Sequence, residues 1–326
     1  MRRAYVAVAA VVGIFVCIQV GALALVEPFK SAGYQTVEDP TDPTNSVIYI
    51  LAILVATAVM LAAFKYDADV LVRLLVVLSA TFISYYVFAV LLPPVVAFGV
   101  NAVAVGAALA LAAALLVYPE WYVIDAAGIV MGAGAAGLFG ISFGLLPAIV
   151  LLAGLAVYDA ISVYGTEHML DLASGVMDLK VPVILVVPLS ASYSFLDDDG
   201  PEATERDGDA ADDDASPEEE NGEGPMERDA FFIGLGDAVM PTVLVASAAF
   251  FSPASVPDLG VPGLAVTLPA ATAMVGTLLG LLVLMRMVMA GRAHAGLPLL
   301  NGGAIGGYLV GALASGIPLA QAVGLA

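Results

Sequence analysis

Residues 145–164, LLPAIVLLAGLAVYDAISVY, read as one helix that crosses a bilayer with a single acid inside it. About 20 apolar residues, rising about 1.5 Å each, cover the roughly 30 Å of hydrocarbon in a membrane. This run has that length, and Asp159 is its only charge. A carboxylate in mid-bilayer costs about 2.5–3.5 kcal/mol on insertion scales, so an acid there points to function.

The rest of the chain supports a membrane solvent. Of its 326 residues, 61% are hydrophobic and 12% charged, against roughly 45–50% and about 25% in soluble domains. The net charge of −20 is local, because sixteen of the thirty acids fall between Asp197 and Asp229. Apolar stretches predict nine spans, over 5–26, 46–64, 70–92, 95–118, 122–142, 145–164, 230–251, 264–289 and 297–320. The expected fold is therefore an all-α polytopic membrane protein. It divides into spans one to six (1–164), a hydrophilic loop (165–229) and spans seven to nine (230–326). Pro93-Pro94 and the Tyr118-Pro119-Glu120-Trp121-Tyr122 belt mark boundaries at turn and headgroup level. The fifth and sixth spans are divided only by Gly140 to Pro147. With the N-terminus in the cytoplasm, nine of the ten basic residues face inward and only Lys30 faces out, as the positive-inside rule requires. The loop 165–229 is then cytoplasmic and the C-terminus outside. The run after Met1-Arg2-Arg3 is too long for a signal peptide and lacks a clean cleavage site, so it is kept as a span.

Within the loop, Thr166 to Leu179 spaces its apolar residues as a helix lying on the membrane surface. Val181 to Pro188 is framed by prolines, too short to span and reads as extended. The acidic tract from Asp197 to Asp229 is too polar to pack and is expected to be disordered. The single Cys17 rules out a disulfide framework and a Cys-rich metal site.

Three acids remain in spans. Asp125 lies near the end of its span, within reach of water, and reads as structural. Asp159 lies about 7–8 Å from the inner end of the sixth span, and Asp237 about 10–11 Å into the seventh. Neighbouring antiparallel helices would bring them face to face. Two carboxylates that close share one proton and titrate as a pair. In such a pair the ionised acid activates a water while the protonated one polarises a carbonyl. On depth alone, catalysis stands level with a proton or cation site in a transporter or ion-leak channel. Flanking residues tilt the balance: Gly234-Leu235-Gly236 before Asp237 lets another backbone approach, and Pro298 interrupts the start of the ninth span. No correspondence between halves supports the inverted repeats of a transporter.

Tyr158-Asp159 on a sixth span, Gly234-Leu235-Gly236-Asp237 on a seventh and Leu297-Pro298-Leu299-Leu300 opening a ninth resemble the presenilin and signal peptide peptidase family, most closely its archaeal members. The resemblance implies that Asp159 and Asp237 are catalytic aspartates and that Tyr158, Gly234, Leu235, Gly236, Leu297, Pro298 and Leu299 border substrate. Leu299 stands where the family's Pro-Ala-Leu element has alanine. It further implies cleavage of transmembrane helices of single-span proteins within the bilayer, and substrate pairing as a strand along Val181 to Val187 or Leu297 to Leu299. Its partners would be membrane lipid and those substrates, with accessory subunits or a homo-oligomer allowed and no nucleic acid, cofactor or metal.

Two other constellations fall away. Gly140-Ile141-Ser142-Phe143-Gly144 matches a serine-nucleophile pattern, but His168 and His294 lie across the membrane from Ser142, and a nucleophile needs its base within hydrogen-bond reach. Glu167-His168 stands alone, without the second histidine of a zinc helix.

Overall fold

The computed structural model describes residues 2–66, 68–97, 99–166, 181–189, 193–196, 230–255, 266–290 and 294–325. The surface helix expected over 166–179 and the acidic tract fall almost wholly outside the described residues. Among those described, ten α-helices and two short two-stranded sheets alternate along the chain. The helices are α1 (Arg2–Ser31), α2 (Thr44–Lys65), α3 (Asp69–Leu91), α4 (Ala102–Val117), α5 (Trp121–Ser142), α6 (Leu145–Ile161), α7 (Leu235–Phe251), α8 (Leu268–Met289), α9 (Leu297–Ala314) and the single turn α10 (Leu319–Ala322). Strands β1 (Val96–Ala97) and β2 (Val100–Asn101) form a hairpin before α4, while β3 (Ile184–Pro188) pairs with β4 (Ala230–Gly234).

Among the described residues, seven helices are long and apolar enough to cross a membrane: α1, α2, α3, α5, α6 (with its extension to Tyr164), α8 and α9. The expected fourth and seventh spans are apolar but shorter. Helix α4 has 16 residues and α7 has 17, about 24 and 25 Å at 1.5 Å per residue. The reason is local. Residues 96–101, read as helix, turn back in the β1–β2 hairpin, and residues 230–234 form β4. The ninth helix also stops early, at Ala314, where Gly316 takes φ +77°, a conformation open to glycine at little cost.

The core has two main centres. One gathers Phe15, Ile18 and Ala22 of α1, Ile124 and Met131 of α5, the inner faces of β3 and β4, and Val239 of α7. The other joins α6, α7, α8 and α9 through Leu152, Leu244, Ala273, Ala304 and Tyr308. Helices α8 and α9 pack backbone to backbone: a Cβ on Gly276 would meet the Gly303 carbonyl, and one on Gly303 the Gly276 carbonyl. Small residues permit such contact, which replaces the hydrophobic drive that lipid cannot supply. The fifth and sixth spans divide at Phe143-Gly144.

Candidate active site

Helix α6 carries Asp159 two residues from its end and continues into a π-helical turn, Ser162–Thr166. Such turns recur at functional sites because the widened backbone re-aims its side chains. From the other direction, β4 ends at Gly234 (φ −60°, ψ 131°) and α7 starts at once, with Asp237 in its first turn. There the first N–H groups of the helix have no partner within it. Pro241 sits four residues on, inside α7. It has no N–H to give the Asp237 carbonyl, so the helix is loosened at this acid. Asp237 is therefore two residues into its helix rather than seven, and Asp159 two residues from the end of its own.

The two acids meet on a shared stretch of backbone. The Leu297 N–H donates to Asp159 Oδ2 at 3.0 Å. A Cβ on the preceding residue, Gly296, would lie 3.2 Å from Asp237 Oδ2 and 3.5 Å from its Cγ. The carboxyl groups are within electrostatic reach of one another. Asp159 is 5% exposed, Asp237 half-buried. The segment before α9 is pinned at a second point, where the Ala295 N–H donates to the Tyr164 hydroxyl at 3.3 Å. One turn into α9, Asn301 donates through Nδ2 to the Leu152 carbonyl at 2.9 Å. Three bonds thus hold the opening of α9 against α6 and the π-helical turn that follows it.

The other residues singled out in the sequence gather around this point. Tyr158 is half-buried beside Asp159. Leu235 is buried against α5, where a Cβ on Gly132 would come within 3.1 Å of its Cδ1. Gly236 is exposed, and among the described residues, its own helix backbone and chain neighbours aside, nothing lies within 4 Å of where its Cβ would stand. Pro298 and Leu299 lie in the first turn of α9. An extended edge at Leu297 to Leu299 is thereby overturned: these residues are helical, since a proline at the start of a helix gives up only an N–H that lacks an intrahelical acceptor.

The extended reading of the other segment needs adjusting. Residues Ile184–Pro188 pair antiparallel with Ala230–Gly234, with Val186 opposite Phe232 and Ile184 opposite Gly234. The Leu235 N–H continues the ladder to the Val183 carbonyl at 2.8 Å. Asp125 Oδ1 accepts from the Val186 N–H at 2.8 Å, so β3 presents its outer edge to α5, and the open edge of the sheet belongs to β4. Sequence reasoning missed this, as it missed Gly296 and Tyr164. Nothing in a lone glycine or tyrosine signals contact with residues more than fifty positions away.

At the opposite end of α5, Ser142 is buried and its Oγ accepts from the Thr36 N–H at 3.1 Å and the Thr36 hydroxyl at 3.0 Å. That is a loop clasp. Among the described residues, no group of three or more His, Cys, Asp or Glu could hold a metal ion.

Residues 12–317 match the family model described as "Signal-peptide peptidase, presenilin aspartyl protease". Two solved structures of a presenilin family intramembrane aspartate protease, in C222 and P2 crystal forms, are similar to the chain at 31% identity. The first aligns over 94% of this chain and 99% of its own with a TM-score of 0.63, the second over 93% and 96% with 0.60. A search of curated proteins gave no match. The chain is a multi-pass membrane protein that belongs to the signal-peptide peptidase and presenilin family of aspartyl proteases, and it is an enzyme of the aspartic endopeptidase type.

Proposed function

We propose that Asp159 and Asp237 are the catalytic pair of this endopeptidase, and that it cuts transmembrane helices of single-span proteins within the bilayer. The observation that carries the reading is the common seat of the two acids, the Gly296-Leu297 backbone. In the reaction the ionised carboxylate takes a proton from water as the water attacks the scissile carbonyl carbon. The protonated partner donates a hydrogen bond to the carbonyl oxygen as it gains negative charge. The tetrahedral intermediate collapses when a proton reaches the leaving nitrogen, which returns the pair to its singly protonated state. The Leu297 N–H, held on Asp159, fixes that carboxyl's rotamer.

A helical substrate hides its peptide bonds, so the cut segment must be extended. The N–H and C=O of Phe232 and the N–H of Gly234 point away from β3, because antiparallel pairs alternate in the side to which their groups are directed. Among the described residues they have no partner. An extended peptide added to this edge runs directly past Asp237, with Gly236 giving it room and Tyr158, Leu235, Leu297, Pro298 and Leu299 bordering it. All nine main helices cross the bilayer, α4 and α7 completing their passage through the hairpin and β4. The N-terminus and residues 165–229 are cytoplasmic and the C-terminus is outside. The test is cleavage of a single-span helix by purified protein. Asp159→Asn and Asp237→Asn each abolish it with the fold intact; substantial turnover by either, free of other proteases, refutes the pair.

A further inference from the structure

Asp125 is a 7% exposed carboxyl that the chemistry above does not use. We infer that it is a positioning residue which sets where a docked substrate strand is cut; this rests on the reading that Asp159 and Asp237 cleave a peptide held on β4. Asp125 and the glycines one and two turns on, Gly128 and Gly132, form one stripe of α5. The seat this stripe makes for the sheet and for the start of α7 is close-fitting. A Cβ on Gly128 would stand 3.0 Å from Leu185 Cδ2, and one on Gly132 3.1 Å from Leu235 Cδ1 and 3.3 Å from Val239 Cγ2. Those contacts are apolar and have no preferred direction along the strand. Among the described residues, the hydrogen bond from the Val186 N–H to Asp125 Oδ1, at 2.8 Å, is the side-chain bond that ties the sheet to a helix.

A two-stranded sheet is marginal by itself and takes its order from what it packs on. Val186 lies opposite Phe232, the central residue of β4 and the one whose outward groups meet the docked peptide. Asp125 therefore fixes β3, β3 fixes the tilt of β4, and β4 sets which peptide bond of the substrate faces the acids. Strand residues are about 3.3 Å apart, so a small loss of alignment brings a neighbouring bond into reach. A purely structural role for Asp125 would change yield and leave the cleavage positions alone.

The experiment compares full-length wild type, Asp125→Ala, Asp125→Asn and Asp125→Glu on one single-span test helix, reading initial rates and product masses by mass spectrometry. Asp125→Ala is expected to raise KM severalfold and to spread cleavage over adjacent bonds. Asp125→Asn, which keeps an acceptor oxygen in place, restores the wild-type positions. Asp125→Glu carries the acceptor about 1.5 Å further and shifts or spreads the positions; it decides the matter if the alanine variant does not fold. Unchanged positions and KM in Asp125→Ala, or in Asp125→Glu where only that variant folds, overturn the inference, as does an asparagine variant that behaves like alanine. Asp237→Asn run alongside keeps the two readings apart: cleavage by that variant refutes the proteolytic assignment, whatever the Asp125 variants do.

Discussion

Gly296 offers the sharpest test of the geometry around the acids, because its missing side chain is what admits the Asp237 carboxyl. A methyl group there would lie 3.2 Å from Asp237 Oδ2 and 3.4 Å from Leu284 Cδ2. Ordinary contact begins near 3.4 Å, so alanine asks the carboxyl to yield by a few tenths of an ångström. Displacing a reacting group by about 1 Å costs on the order of 10²-fold, which puts Gly296→Ala at roughly two- to fivefold in kcat. Valine adds two methyls reaching about 1.5 Å further into the same space and should cost about 10²-fold. Stability moves much less. Gly296 has φ −79° and ψ −45°, a conformation any residue adopts, so alanine gains about 0.4–1 kcal/mol by restricting the unfolded chain. That gain offsets much of the roughly 1–3 kcal/mol of overpacking. The assay is kcat for a single-span test helix alongside thermal unfolding of the same preparations. If the valine variant folds and turns over within threefold of wild type, the Gly296 seat does not hold the acid and the argument fails.

Further outcomes follow from other parts of the molecule. Cleavage rate against pH should be bell-shaped, because one acid must be charged and the other protonated; a rate rising monotonically to alkaline pH excludes a shared proton. Deleting the acidic stretch Asp197 to Glu223 should leave cleavage of a test helix largely unchanged, and loss of activity in a folded deletion would assign the tract a part in substrate access. Burial pushes the Glu120 carboxyl up, but hydrogen bonds from the Ser194 hydroxyl and from the Phe195 and Trp121 N–H groups outweigh it and hold it below its usual value. A depressed folded value means that this tie is complete above the unfolded carboxylate range and is lost as pH falls through the folded value. Amide exchange at Phe195, corrected for its intrinsic pH dependence, should therefore accelerate on acidification in wild type and be insensitive to it in Glu120→Gln.

Much of this could be read from the chain because a bilayer makes length and polarity decisive. Asp159 and Asp237 stood out against apolar surroundings, and the division at Phe143-Gly144 fell inside the expected Gly140 to Pro147. The failures share a cause. Ala230 to Gly234 is an apolar run joined without a break to an apolar helix, and in such a run strand and helix have the same appearance, since neither needs a polar face. The same ambiguity hid the hairpin at residues 96–101. Contacts made by backbone atoms, such as Leu297 with Asp159 or Val186 with Asp125, leave no mark on residue type. The α9 boundary was overshot because apolar composition continues past Gly316, while the turn there depends on backbone conformation.

The contact between Gly276 and Gly303 has a mechanical consequence. Two helices joined through their main chains have no side-chain layer between them to shear, so α8 and α9 turn as a single stiff lever. Its working end is Leu297, bonded to Asp159. Any movement that parts α9 from α6 must swing α8 with it, and it withdraws the Leu297 N–H from Asp159 in the same stroke. Separation of the helices and release of the acid are thus geared together, and a disulfide tying α9 to α6 at a distance from the acids would lock both.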